Sequence, residues 1–221
     1  ASFTSVARPI QIVPSVLPAD FSKLGAEVAA LETAGVDMIQ WDVMDGQFVP
    51  NLTFGPMIIQ SIRKTTSCHL ETHLMIENPH ESLEQYITAG SDTIIFHLEA
   101  TNNPEDNLKY IRDNNVCAGI AINPDTDENQ LSSLLDYLDY ILIMSVFPGK
   151  GGQAFISETL NKMKNIVSMR ENRKIIIGVD GGVNMDTIST VFSTNIDVAI
   201  VGSGLFKARD VTQRYQELMY A

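Results

Sequence analysis

Eight short apolar runs alternate along this chain with amphipathic segments of helical length. The runs are almost continuously apolar, which is typical of parallel strands that are covered on the outside. Eight βα units in 221 residues amount to about 27 residues per unit, near the lower end for a closed barrel. The pattern favours one α/β domain over residues 1–221, a single (β/α)8 TIM barrel, over an open doubly wound sheet. The predicted strands are residues 10–16, 38–43, 68–74, 93–96, 116–121, 140–144, 174–179 and 198–201.

The helix-length segments begin with residues that suit the first turn of a helix. Asn-Pro pairs stand at 78–79, 103–104 and 123–124, where proline and short polar side chains satisfy helix N-termini. The predicted helices are residues 21–34, 56–64, 81–89, 105–112, 127–136, 157–171, 186–192 and 211–219.

The charge balance limits the classes of partner. The net charge of −12, from 15 Lys and Arg against 27 Asp and Glu, argues against binding nucleic acid or an anionic membrane. No apolar run approaches the length of a membrane span. Two unpaired cysteines, Cys68 and Cys117, fit a reducing, cytoplasmic compartment. A small anionic ligand stays compatible with the charge if backbone N–H groups hold it.

Polar side chains stand at the ends of four predicted strands, Ser15, Asp42, His73 and Asp180. Burying a charge is costly unless a partner compensates for it, so these residues predict one shared site at the barrel mouth. Strands 2 and 7 face each other across the mouth. Two carboxylates on opposite sides of a substrate suit inversion of a carbon centre, with proton removal at one face and delivery at the other. The alternative for a single strand-end Asp is a helix N-cap. His97, which ends strand 4, is expected to be a hydrogen-bonded wall residue rather than a fourth ligand.

Glycine-bearing loops follow the last three strands. The loops at 180–184 and 201–204 are where barrels hold a phosphate with unobstructed backbone N–H groups. The loop at 147–153 is a candidate lid. Three methionines at strand ends, Met44, Met75 and Met144, are either core filling or an apolar lining that excludes water.

Between about residue 12 and residue 206 the chain carries the spaced motifs Pro14-Ser15-Val16-Leu17, Asp42-Val43-Met44-Asp45-Gly46, Phe48-Val49-Pro50-Asn51, His73-Leu74-Met75, Met144-Ser145-Val146, Pro148-Gly149, Gly151-Gly152-Gln153 and Val179-Asp180-Gly181-Gly182. Together these motifs resemble the ribulose-phosphate 3-epimerase family. The resemblance implies a TIM barrel that interconverts ribulose 5-phosphate and xylulose 5-phosphate through a cis-enediolate.

The resemblance also implies a role for individual residues. Asp42 and Asp180 would be the acid/base pair, and with His73 they would bind one divalent metal ion, Zn, Fe, Mn or Co. The partner would be a small-molecule sugar phosphate, and family members are commonly homo-oligomers, dimers or hexamers. The expected substrate-binding residues are Ser15, Gln40, Met44, His73, Met75, Met144, Gly149, Lys150, Gly151, Gly152, and, around the phosphate, Gly181, Gly182, Gly202 and Ser203.

The chain departs from the family pattern at Gln40, where the family has a metal-binding His two residues before the strand 2 Asp. An amide oxygen is a harder, neutral ligand, so zinc affinity should fall or the preference should move toward oxygen-loving ions. Alternatively, the Gln40 amide donates directly to the enediolate oxygen. Phe147 and Lys150 also depart from the pattern, and Lys150 reaches either a phosphate or, as favoured for most lysines, solvent.

The favoured function is a pentulose-phosphate 3-epimerase with an altered metal site. One alternative is an epimerase for a hexulose 6-phosphate, and another is a non-catalytic sugar-phosphate-binding relative. The non-catalytic relative is disfavoured because a protein that only binds a sugar phosphate does not need two carboxylates that face each other. Decarboxylase and aldolase-like barrels carry an Asp-x-Lys motif at a strand end, which is missing here.

Overall fold

The computed structural model describes residues 11–221, and within them eight parallel strands form one barrel. The strands are β1 Gln11–Pro14, β2 Met38–Met44, β3 His69–Met75, β4 Thr93–His97, β5 Cys117–Ile122, β6 Tyr140–Met144, β7 Ile176–Asp180 and β8 Val198–Val201. They follow the ring order β1-β8-β7-β6-β5-β4-β3-β2, and a parallel bridge between Ser15 and Gln40 connects β1 to β2. The predicted TIM barrel is confirmed, although Ile10 of the first predicted strand lies outside the described residues.

Helices connect most of the strands on the outside of the barrel. Proline occupies the first turn of α2 (Pro56–Arg63) and of α4 (Pro104–Asp113), and Asp210 caps α8 (Val211–Met219) by accepting a hydrogen bond from the Gln213 backbone N–H. None of the helices in residues 11–221 has both the length and the apolar character needed to cross a bilayer. The α-helices are α1 Leu24–Thr33, α2 Pro56–Arg63, α3 Leu83–Ala89, α4 Pro104–Asp113, α5 Thr159–Arg170, α6 Ile188–Phe192, α7 Ser203–Phe206 and α8 Val211–Met219.

The segment 127–136 differs from its predicted helix. It forms two short 3₁₀ helices, Glu128–Leu131 and Leu135–Tyr137, instead of one α-helix. Its serines, asparagine and aspartates compete for backbone hydrogen bonds, and Asp127 caps the first turn by accepting from the Asn129 N–H. The leucines of this segment are still buried, because successive 3₁₀ turns also direct them toward the barrel.

Strand register sets the layers of side chains inside the barrel. Asp42 on β2 is paired with His73 on β3, and Gln40 is paired with Glu71. Side chains two residues apart on a strand share a face, so Gln40 and Glu71 form the layer directly below Asp42 and His73. Between these layers, Trp41 of β2 packs in the main core, and Thr72 of β3 hydrogen-bonds to Ser91. Two polar layers therefore occupy the carboxyl-terminal half of the barrel interior.

Candidate active site

The structure brings Asp42, His73 and Asp180 together at the carboxyl ends of β2, β3 and β7. The Nδ1 atom of His73 lies 3.2 Å from Asp42 Oδ1 and 3.5 Å from Asp180 Oδ2. One ligand atom from each residue lies within 4.8 Å of the other two. The His73 side chain is fully buried, whereas that of Asp180 is 18% exposed toward the mouth. The group could hold one metal ion, and Asp180 is the member most open to a ligand.

The carboxylates determine the charge state of His73. Burial alone would lower the pKa of His73, but its interactions with Asp180 and Asp42 raise that pKa to about 9. Burial raises the pKa of Asp180, against the opposing effect of His73. Ser15 donates its hydroxyl proton to Asp42 Oδ2 and accepts a hydrogen bond from the Leu17 N–H at 3.2 Å. The loop after β1 therefore holds the Asp42 carboxylate in place.

A buried amide–carboxyl pair lies in the layer below. Gln40 Nε2 donates to Glu71 Oε2 at 2.9 Å, and both side chains are fully buried. Burial raises the pKa of Glu71 to about 7. The Oε1 atoms of both residues are buried and find no hydrogen-bond partner among residues 11–221. Glu71 was not anticipated as a site residue, although its position two residues before His73 gives it the same inward orientation.

His97 at the end of β4 contacts the site through His73. The Nε2 atoms of the two histidines are 2.8 Å apart, and Nδ1 of His97 lies 3.3 Å from Glu99 Oε2. The placement matches the expected hydrogen-bonded wall residue. Burial lowers the pKa of His97 to about 4. Burial alone would raise the pKa of Glu99, but hydrogen bonds from His97, Thr126 and the Asn123 N–H lower it to about 2.

A cavity of about 530 Å³ opens above these residues. Gln40 and His73 lie beneath its floor and do not line it. Lys207, which the sequence analysis did not identify, lines the cavity beside the loops after β7 and β8. In the sequence, only its position four residues after Ser203 indicates that it lies near the site. The predicted residues that line the cavity are Ser15, Asp42, Met44, Met75, Met144, Gly149, Lys150, Gly151, Gly152, Asp180, Gly181, Gly182, Gly202 and Ser203.

The loop after β7 needs its glycines. Gly181 and Gly182 have φ values of 125° and 67°, which L side chains rarely adopt. A Cβ atom on Gly182 would lie 2.7 Å from the Phe155 Cα atom and closer still to its nitrogen. The close approach packs this loop against the segment that follows β6. Backbone N–H groups in such loops are free of side-chain obstruction.

The three methionines pack in apolar clusters and also line the cavity. Met44 and Met75 form a small apolar cluster with Val49, and each is only 2% exposed. Met144 packs in the barrel interior, and all three line the cavity. The floor beside the carboxylates is therefore apolar, with adaptable thioether side chains.

Similarity to known proteins extends over nearly the whole chain. The model of the ribulose-phosphate 3 epimerase family matches residues 11–206. The chain belongs to this family. It is therefore an epimerase, an enzyme of the isomerase class.

Curated relatives in the ribulose-phosphate 3-epimerase family match over almost the full chain. Ribulose-phosphate 3-epimerase 1 of Cupriavidus necator is 39% identical over 220 residues, which cover 96% of this chain and 91% of that protein. Ribulose-phosphate 3-epimerase of Bacillus subtilis is 37% identical over 212 residues, covering 95% of this chain and 98% of that protein.

Solved structures share the fold at much lower sequence identity. A mutant tryptophan synthase alpha-subunit from Pyrococcus furiosus superposes with a TM-score of 0.74 at 14% identity, covering 97% of this chain and 99% of that one. KGPDC from Streptococcus mutans gives a TM-score of 0.71 at 14% identity, covering 96% of both chains. At this identity the likeness establishes the barrel alone.

Proposed function

We propose that this protein inverts C3 of ribulose 5-phosphate to give xylulose 5-phosphate. The observation that carries the proposal is the meeting of two carboxylates, Asp42 from β2 and Asp180 from β7, at the floor of one cavity. The names of the relatives, ribulose-phosphate 3-epimerases, favour a pentulose over a hexulose substrate.

Each carboxylate serves one face of the substrate. In one direction Asp42 removes the C3 proton, which is acidic because it is α to the ketone, and a cis-enediolate forms. Asp180, whose pKa burial raises, delivers a proton to the opposite face of C3. In the reverse direction the two residues exchange roles. Ser15 keeps Asp42 oriented through its hydroxyl hydrogen bond.

The donor set fits a divalent cation. Asp42, His73 and Asp180 supply one imidazole nitrogen and two carboxylates, a set that suits Zn, Fe, Mn or Co. When bound, such an ion polarises the ketone oxygen as a Lewis acid. The Gln40 carbonyl oxygen is a candidate additional ligand, because it is buried without a partner among the described residues. Its amide nitrogen already donates to Glu71, which favours the ligand role over direct donation to the enediolate.

The phosphate of the substrate would lie against the loops after β7 and β8. Gly181, Gly182, Gly202 and Ser203 line that end of the cavity and offer backbone N–H groups. Lys207 supplies positive charge there, and Lys150 lies on the loop after β6, exposed to solvent. The methionine floor excludes water from the reacting carbons. The single domain, the cytoplasmic location and the homo-oligomer expected from the sequence stay predictions.

The test is an NMR assay of ribulose 5-phosphate epimerisation with the native protein and Asp180→Asn, after chelation and metal add-back. We expect native turnover, and a loss of kcat of roughly 10²- to 10⁴-fold in Asp180→Asn. Asp186→Asn is the matched control, since this carboxylate is exposed in the same loop and does not line the cavity. Binding without native turnover would identify a non-catalytic relative. Faster turnover of a hexulose 6-phosphate would favour the longer substrate, and full activity in chelator would exclude the metal.

A further inference from the structure

The proposed mechanism leaves one contacting pair without a role, the buried His97 and the partly exposed Glu99. The His97 ring is 0% exposed, and its Nε2 atom lies 2.8 Å from Nε2 of His73. Its other nitrogen, Nδ1, lies 3.3 Å from Glu99 Oε2. A continuous line of hydrogen bonds thus runs from Glu99 through both imidazoles to the face of His73 that meets Asp42 and Asp180.

The direction of each hydrogen bond in this line follows from its carboxylate end. An ionised carboxylate only accepts hydrogen bonds, so the Nδ1 atom of His97 must carry the proton that faces Glu99. A neutral imidazole has one N–H group, so Nε2 of His97 is an acceptor. The proton between the two rings therefore belongs to Nε2 of His73. In a neutral His73 ring this leaves the lone pair on Nδ1, the atom that faces both aspartates.

We propose that His97 and Glu99 are positioning residues that fix His73 in the Nε2–H tautomer and so present its Nδ1 lone pair to a metal ion. The inference rests on the proposed function only in taking Asp42, His73 and Asp180 as the ligands. Hydrogen bonds from a metal-binding His to a further group orient the ring and fix its tautomer. Here a second imidazole stands between the ligand and the carboxylate.

The loop after β5 anchors the carboxylate end of the line. The Asn123 N–H and the Thr126 hydroxyl donate to Glu99 Oε1 at 2.5 and 2.7 Å. Lys162 on α5 holds that loop, donating to the carbonyl oxygens of Asn123, Pro124 and Thr126. Glu99 Oε1 therefore accepts hydrogen bonds from the loop, and Oε2 is the oxygen that faces His97. The pair is ordered independently of any ligand in the cavity.

Glu99→Gln tests the assignment without changing the shape of the side chain. The amide oxygen must take the Oε1 position, because the Asn123 N–H needs an acceptor there. The amide NH₂ then replaces Oε2 and donates to His97 Nδ1, which moves the His97 proton to Nε2. Two N–H groups then oppose each other between His97 and His73. Glu105→Gln is the control, since the Glu105 side chain on α4 is 45% exposed and bonds to Lys109.

Two measurements without substrate decide the outcome, a zinc dissociation constant by chelator competition and the histidine ¹⁵N spectrum of the zinc-loaded protein. We expect Glu99→Gln to weaken zinc binding by roughly 10- to 100-fold, and Glu105→Gln to leave it within about twofold. The native spectrum should show His73 protonated at Nε2 and His97 at Nδ1. His97→Phe, which removes the acceptor, should weaken zinc binding in the same range. Thr126→Val, which removes one donor to Glu99, should weaken it less.

The inference is overturned if Glu99→Gln binds zinc as tightly as the native protein, if His97 is protonated at Nε2, or if the native protein binds no zinc. Glu99 is partly exposed, so its amide variant keeps the test valid where His97→Phe fails to fold. A kinetic assay with ribulose 5-phosphate distinguishes failure of this inference from failure of the proposed function. A protein that meets these expectations but does not epimerise ribulose 5-phosphate contradicts the function alone. An active enzyme with unchanged zinc affinity in Glu99→Gln contradicts the inference alone.

Discussion

Replacing Gly182 with alanine should be costly because two separate effects oppose a side chain there. The backbone φ of 67° is left-handed, which costs an alanine roughly 1–2 kcal/mol relative to its usual conformations. The new Cβ atom would also lie 2.7 Å from Phe155 Cα, and a backbone contact cannot be relieved by rotating a side chain. Overpacking of this kind costs roughly 1–3 kcal/mol. Together these effects predict that the free energy of unfolding falls by about 2–5 kcal/mol.

Gly152→Ala separates the two effects. Its φ of 73° is nearly the same, and apart from Gly152 and its two chain neighbours no heavy atom of the described residues lies within 4 Å of the position that a Cβ atom would take there. Urea denaturation should therefore show a loss in Gly182→Ala that exceeds the loss in Gly152→Ala by roughly 1–3 kcal/mol. Because the loop must move, Gly182→Ala should also raise the KM for ribulose 5-phosphate, whereas the remote Gly35→Ala should not. Equal losses of stability in the two loop variants would refute the reasoning.

Three further substitutions have defined outcomes. Gln40→His, which places an imidazole beside Glu71, should lower the zinc dissociation constant roughly 10-fold or more by chelator competition. An unchanged constant would show that this position does not reach the metal. Lys162→Met should lower the free energy of unfolding in urea by about 1–3 kcal/mol, because three carbonyl oxygens each lose one donor, and the exposed Lys164→Met should lower it by less than about 0.5 kcal/mol. Lys207→Ala should raise the KM for ribulose 5-phosphate several-fold with little change in kcat; a change in kcat alone would place Lys207 outside the phosphate site.

The barrel could be predicted because the sequence pattern that produces it is local and repeats along the chain. Continuous apolar runs of strand length alternate with helical segments, and few folds bury such a series. The strand-end residues Asp42, His73 and Asp180 could also be placed together, since a closed parallel barrel gathers its carboxyl ends at one mouth. The prediction for segment 127–136 was wrong because its apolar spacing suits an α-helix and successive 3₁₀ turns alike. Only its polar residues carried a signal against the α-helix.

Several features of the site depend on contacts between distant residues. The pairing of Gln40 with Glu71 needs the register of β2 against β3, which single-strand patterns do not contain. The 2.8 Å contact between His73 and His97 likewise depends on how far each strand extends into the mouth. Lys207 comes near the glycine loops only because the chain turns back after β8. Sequence patterns therefore predicted the candidate catalytic residues, whereas the residues that contact and support them could be identified only in the tertiary structure.

The origin of the C3 hydrogen in the product tests the two-carboxylate account most directly. Native enzyme equilibrated in D₂O, in excess over ribulose 5-phosphate, is allowed one turnover, and the xylulose 5-phosphate formed is measured by mass spectrometry. Proton removal by Asp42 and delivery by a solvent-equilibrated Asp180 predict one deuterium at C3 in essentially every product molecule. Product that keeps the hydrogen of its substrate at C3 would contradict the account, because one group would then remove and return the same proton.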